Sequence, residues 1–276
     1  MRLDKLKNLK ENIKSTGKCA VAFSGGVDST FLLKICRDEL GFENVHAFTG
    51  VSPSCTEREI DFSKKFSLEI NVRHSLIETN EFSDKNYLAN PKNRCYFCKR
   101  EIFAKIKDKA GSLGFNTVFD GSNYDDLDDF RPGMKALREL SIKSPLLEAK
   151  LTKEDIRFFS KQLSLPTWDQ PASPCLSSRI PYGSVINEQK LKNVEKAEKY
   201  LSELGFKLLR VRHHEKIARV EVAEKEIEMI VSPENRKKID TYFKSLGFVW
   251  VCLDLKGYRM GSLNEINADL NSNQDT

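Results

Sequence analysis

The chain has 276 residues, 39% of them apolar and 31% charged, which is enough for about two domains with ordinary cores. No apolar run approaches a membrane span, and a net charge of +5 permits anionic substrates without marking a nucleic-acid binder. Seven cysteines, an odd number, argue against a disulfide framework and for reduced thiols or metal ligands.

Residues 1–14 place Leu3, Leu6, Leu9 and Ile13 at helical spacing among lysines. They lack the continuous apolar stretch of a signal peptide, so they predict a docked surface helix in a cytoplasmic protein. An apolar strand follows at 19–23, then the loop Ser24-Gly25-Gly26-Val27-Asp28-Ser29 and a helix over 29–40 stopped by Gly41. A second strand is expected at 44–51. Thr56 and Glu59 form a capping box for a helix running to Phe66. Alternation predicts a third strand at 68–73, a helix at 97–113, and a fourth strand at 117–120 ending at Gly121. Thr152 and Asp155 cap a further helix that reaches Leu163.

Strands separated by helices imply a doubly wound parallel α/β sheet over 1–182, with ligands at the carboxyl ends of the strands. The glycine loop, Thr49 and Asp120 all lie at such ends. Beyond 183 the pattern changes to a long helix, close strands at 207–213 and 217–222, two helices and a last strand at 248–253. That predicts a smaller α+β domain over 183–266, followed by a disordered tail at 267–276.

Glycines leave the backbone free to close around an anion, and N–H groups ahead of a helix N-terminus form a phosphate site. No Gly-Lys-Ser/Thr follows, so the loop is not a Walker A sequence. Asp120 opens an acidic run, Asp125, Asp126, Asp128 and Asp129, suited to Mg²⁺ beside a triphosphate; the alternative is a solvated acidic loop. Cys95 and Cys98 form a CxxC at a helix start, which suits a redox pair, half a zinc site or part of an iron–sulfur site. With Cys175 they make three thiolates without a fourth. Cys19, Cys36 and Cys252 fall within strands or a helix and look structural, as does Cys55 ahead of its capping box. Arg210 and Arg212 share a strand face opposite Leu209 and Val211. Two guanidinium forks there seat a phosphate, or else form a solvent-exposed face. Arg259 lies between Gly257 and Gly261, a loop that allows close approach of a ligand. The four histidines, His46, His74, His213 and His214, show no metal-ligand spacing.

The glycine loop is similar to the SGGxDS loop of the PP-loop ATP pyrophosphatases. The chain to about Ile266 resembles the LarE-type sulfur transferases, through SGGVDST at 24–30, DGSNYDDLDDFRPG at 120–133, PCLSSRIPYG at 174–183, RVRHHEKIARVEV at 210–222 and DLKGYRMGSLNE at 254–265. The resemblance implies an enzyme of nickel-pincer nucleotide biosynthesis that adenylylates a carboxylate of pyridinium-3,5-biscarboxylic acid mononucleotide and replaces AMP by sulfur. It implies ATP at Ser24, Gly25, Gly26, Asp28, Ser29, Thr30, Thr49 and Gly121, and Mg²⁺ at Asp28 and Asp120. It also implies the substrate at Arg179, Arg210, Arg212 and Arg259, and Asp28, Ser29 and Cys175 as catalytic.

Cys175 matches the family's sulfur-bearing cysteine. In one branch that residue gives up its own sulfur and becomes dehydroalanine. Cys95 and Cys98 match a second branch, in which three cysteines hold a [4Fe–4S] cluster carrying a labile sulfide. The expected partner is the mononucleotide, with no nucleic acid and no membrane, in a homo-oligomer. Two other readings are a tRNA thiolase with a three-cysteine cluster and an idle ATP-binding scaffold.

Overall fold

A computed structural model describes residues 2–127, 132–171, 174–259 and 262–263. The expected tail at 267–276 lies outside these residues, as do Asp128 and Asp129. The chain divides into two compact units, 1–174 and 175–276.

The N-terminal unit opens with α1 (Arg2–Thr16), whose Leu9 and Ile13 are fully buried while Leu3 stays in solvent. Then come β1 (Cys19–Ala22), α2 (Val27–Leu40), β2 (Val45–Val51), α3 (Glu57–Glu69) and β3 (Arg73–Glu78). A single turn α4 (Lys85–Leu88) precedes α5 (Arg94–Ser112), β4 (Val118–Phe119), α6 (Gly133–Glu139), α7 (Pro145–Glu148) and α8 (Lys153–Gln162). All four strands pair in parallel in the order β3-β2-β1-β4. Alternate β1 residues feed two cores: Cys19 and Val21 pack with α1, α2 and α8, and Ala20 packs with Phe103 and Ile106 of α5. The sheet is therefore covered on both faces, as parallel sheets require. The chain leaves β1 for β2 on one side, and β4 returns to its other side. That makes the β1 end the switch point of the sheet, where α/β folds bind ligands.

Both capping boxes form, Thr56 with Glu59 and Thr152 with Asp155. The third strand is a correction: residues 68–73 are not a strand. Helix α3 runs on to Glu69 and β3 begins at Arg73. The helix ends with Val72 N–H donating to the Ser67 carbonyl and Asn71 at φ 53°, a left-handed stop that asparagine tolerates. Leu68, Ile70 and Val72 alternate in sequence, but Leu68 projects into solvent while Val72 is buried.

The C-terminal unit holds α9 (Glu188–Glu203), β5 (Leu209–His214), β6 (Ile217–Val222), α10 (Ile227–Ile230), α11 (Pro233–Ser245) and β7 (Trp250–Leu253). β6 is central, antiparallel to β5 and parallel to β7. Leu209, Val211, Val220 and Val222 pack with α9 and α11 into one core. The opposite face carries Arg210, Arg212 and His214 of β5, with Arg219 and Glu221 of β6 across from the two arginines. The units divide at 174/175 rather than at the expected 182/183. The turn Leu176–Arg179 explains the shift, because Arg179 binds Glu198 of α9 and the Ser178 carbonyl accepts from Arg212.

Candidate functional site

The glycine loop bridges β1 and α2. Gly25 has φ +76°, and a Cβ there would meet the Phe62 ring at 2.9 Å, so only glycine fits. Gly26 is the N-cap of α2, its carbonyl accepting from Thr30 N–H at 2.9 Å and from Ser29 Oγ at 3.2 Å. Ser24 Oγ and Ser29 Oγ lie 3.1 Å apart. Thr30 is fully buried. From the end of β4, a Cβ on Gly121 would come within 3.1 Å of Ser29 N, so the backbone after Asp120 abuts the loop. Thr49, at the end of β2, donates to the Phe23 carbonyl at 2.6 Å and accepts from His74 Nε2 at 2.8 Å. The structure therefore brings Ser24, Gly25, Gly26, Ser29, Thr49 and Gly121 to one end of the sheet.

The two aspartates expected to hold Mg²⁺ differ. Asp28 Oδ2 takes a 2.5 Å ion pair from Lys153 Nζ at the start of α8. Its Oδ1 is buried and makes no hydrogen bond of ordinary geometry, although the Asn123 amide is near enough to ease its charge. Burial raises the Asp28 pKa above the usual carboxylate value, against the pull of Lys153 and with the push of Asp126. Asp120 is only 3% exposed. Its oxygens accept from Ser122 Oγ and Ser144 Oγ, each at 2.5 Å, and Lys99 Nζ lies 3.9 Å away.

Cys95 and Cys98 fall in the first turn of α5, whose start is fixed by buried Arg94 donating to Asn90 Oδ1 at 2.5 Å. Lys99, the next residue, reaches back to Asp120 at the loop end of the sheet. Cys95 is exposed and Cys98 half-buried. Cys175 belongs to the other unit and is exposed at the start of the turn that carries Arg179. Among the described residues no cysteine forms a disulfide, and no three His, Cys, Asp or Glu side chains group as metal ligands. Cys19 and Cys36 are buried neighbours, and burial with that contact raises the Cys36 thiol well above its usual value. Cys252 departs from the structural expectation, since its side of β7 is exposed.

Three of the expected substrate arginines, Arg179, Arg212 and Arg259, pair with carboxylates. Arg179 forks onto Glu198 at 2.9 and 3.0 Å, and the same carboxylate accepts from Val211 N–H. Arg212 is buried and forks onto fully buried Glu221 at 3.1 and 2.9 Å, with a third bond to Ser262. The face is thus a built polar cluster, which alternation alone left open as solvent-exposed. Arg219 joins Glu221 at 3.1 Å and Asp254 at 3.7 Å, and Arg259 joins Asp254 at 3.1 Å. Arg210 lies over the Tyr258 ring at 5.2 Å, its pKa lowered by burial and by Arg179. Among the described residues, Arg179, Arg212, Arg219 and Arg259 pair with Glu198, Glu221 and Asp254.

Lys153, Asn123, His74, Glu198 and Glu221 are the site residues that the sequence reading missed. A signal existed for Lys153: it follows the Thr152 cap, where a cation opposes the helix dipole and needs a nearby anion. The glutamates gave none, because Glu221 meets its partner through strand register and Glu198 through the packing of a turn on α9.

No protein-family model matches the chain. It is 43% identical over 262 residues to an uncharacterized protein of Synechocystis sp., covering 95% of this chain and 97% of that one. An uncharacterized protein of Methanocaldococcus jannaschii is 32% identical over 94% of this chain and 97% of its own. The pyridinium-3,5-bisthiocarboxylic acid mononucleotide synthase of Lactiplantibacillus plantarum is 36% identical over 253 residues, 92% of this chain and 91% of that enzyme. With that identity along nearly its whole length, and a parallel sheet carrying the glycine loop at its switch point, the chain belongs to the LarE-type sulfur-transferase family.

Proposed function

We propose that the chain activates a carboxylate of pyridinium-3,5-biscarboxylic acid mononucleotide with ATP and converts it to a thiocarboxylate. The observation that carries this reading is the likeness to the Lactiplantibacillus synthase along both units. A carboxylate oxygen attacks the α-phosphorus of ATP and pyrophosphate leaves. A sulfur nucleophile then attacks the acyl carbon and AMP leaves, a far better leaving group than oxide. Ser24, Gly25, Gly26 and Ser29 would receive the phosphates, and the arginine face of the C-terminal unit would receive the substrate phosphate.

Mg²⁺ fits the oxygen donors of Asp28, with its unbonded Oδ1, and of Asp120. It would offset the charge of the leaving pyrophosphate. Cys95, Cys98 and Cys175 are the thiolates that would hold a [4Fe–4S] cluster, and such a cluster would supply exchangeable sulfide. A cytoplasmic, self-assembling enzyme belongs to the same proposal, and sedimentation reads the assembly. No helix of the described residues is long and apolar enough to cross a membrane.

The test supplies ATP, Mg²⁺ and the biscarboxylate mononucleotide to anaerobically purified protein. The expected products are AMP, pyrophosphate and a thiocarboxylate, and release of ADP sinks the reading. Brown protein with about four irons per chain, and intact Cys175 after several turnovers, supports the cluster. Colourless protein with dehydroalanine at 175 in proportion to product replaces it with Cys175 as sole sulfur source.

A further inference from the structure

The half-buried Asp28 carboxylate takes its ion pair from a residue 125 positions away, whose side chain is one-third exposed. Around Asp28 stand Ser29 of its own helix, Asn123 and Asp126 after β4, and Lys153 on α8. Among the described residues in this set, Lys153 brings the full positive charge. Its own backbone N–H is tied to Asp125 Oδ2 at 2.8 Å, so the base of the side chain is fixed while four methylenes leave the ammonium free to swing.

From this geometry we propose that Lys153 is an exchangeable placeholder for the divalent cation at Asp28. While its ammonium sits on Oδ2 it neutralises the carboxylate and competes with metal alone. An incoming triphosphate draws the ammonium off and uncovers Asp28 as the anion arrives. Metal and nucleotide binding are thereby coupled, each lowering the cost of the other. The inference rests on the ATP-binding reading above and adds a direction to it: the lysine opposes one ligand and favours the other. A lysine suits this role better than an arginine. Its ammonium is a point charge on a flexible stem, whereas a guanidinium would fork onto the carboxylate and stay.

The electrostatics set the size of the effect. Two opposite unit charges in close contact attract strongly before solvation costs are taken off. Linked sites usually couple by about 5–150-fold. Removing the ammonium should therefore shift both affinities by at least about tenfold, in opposite senses.

The experiment compares full-length wild type with Lys153→Met and Lys153→Gln. Mn²⁺ binding without nucleotide is read by electron paramagnetic resonance, and ATP binding in excess EDTA is read by calorimetry. Mn²⁺ alone should bind at least about tenfold tighter to the variants, and metal-free ATP at least about tenfold weaker. Asp28→Asn should abolish the Mn²⁺ gain when combined with Lys153→Met. A lysine that merely braces α8 would move both affinities the same way or neither, and either result overturns the proposal. If Lys153→Met melts early, Lys153→Gln keeps a polar side chain without the charge and carries the same two readings. Wild type that binds no ATP at all defeats the underlying functional reading instead. Wild type that binds ATP while the variants show no opposed shifts defeats only the placeholder.

Discussion

Asp28 in the N-terminal unit and the glutamates of the C-terminal unit hold their charge in opposite ways. In the N-terminal unit Asp28 meets one lysine through a single contact, and that lysine is partly in solvent. In the C-terminal unit Arg179 forks onto Glu198 and Arg212 onto Glu221 through two bonds each, Arg219 adds a third to Glu221, and backbone and serine groups complete the set. A point charge on a flexible stem can be exchanged, whereas a forked guanidinium is held in register. The first arrangement suits a site whose ligand set changes during a reaction. The second suits a rigid seat for a fixed anion.

The largest test of this contrast is Glu221→Ala. It leaves Arg212 buried without its carboxylate and should cost about 3–5 kcal/mol of unfolding free energy, measured by urea denaturation. Less than about 1 kcal/mol would mean that the cluster is not a rigid seat. Asp28→Ala should lower AMP formation by at least about 10²-fold, the usual loss for one stabilising group at a reacting phosphate, while the urea midpoint barely moves. A large loss of stability there would erase the distinction between the units.

Arg210 lies over the Tyr258 ring and shares a strand face with Arg212. Arg210→Ala should weaken binding of the mononucleotide roughly tenfold by calorimetry, against a stability change under about 1 kcal/mol. Smaller still is an effect common to both units. Burial lowers His74 and His213 from an ordinary 6.5 to about 4. These histidines are neutral when folded and protonate more readily when unfolded. Their contribution is therefore present above pH 6.5 and lost as pH falls toward 4. His74→Gln should flatten the slope of unfolding free energy between those values, and an unchanged slope would show that His74 stays accessible to protons. Last, Thr152→Ala removes a capping-box hydroxyl from α8 and should cost about 1 kcal/mol in the same measurement.

Features encoded over a few residues were legible in the sequence. The glycine loop, both capping boxes and the β-α alternation rest on contacts within one turn, and each forms. The third strand misled because Leu68, Ile70 and Val72 satisfy a two-residue period while crossing a helix end. Their burial, which distinguishes the cases, depends on where the sheet lies. The expected phosphate arginines could be named from their spacing, but their partners could not. Arg212 finds Glu221 through antiparallel register, and Arg179 finds Glu198 through the packing of a turn on α9. Asp28 and Lys153 are joined only when β1 and the segment after β4 come side by side in the sheet. Cys252 looked structural because it falls in a strand, yet β7 is an edge and turns that thiol outward.

The Phe62 ring beneath Gly25 has a thermodynamic consequence. The rings of Phe23, Phe62 and Phe66 have centroids within 6.4 Å of one another, Phe62 stacked on Phe66, and Phe62 lies against Gly25, so aromatic packing shapes the loop before any ligand arrives. A mould cast in advance spares the nucleotide the entropy of ordering the chain around it. Trimming Phe62 to leucine would leave Gly25 in place yet slacken its support, and the loss should surface in calorimetry as a less favourable binding entropy with most of the enthalpy retained.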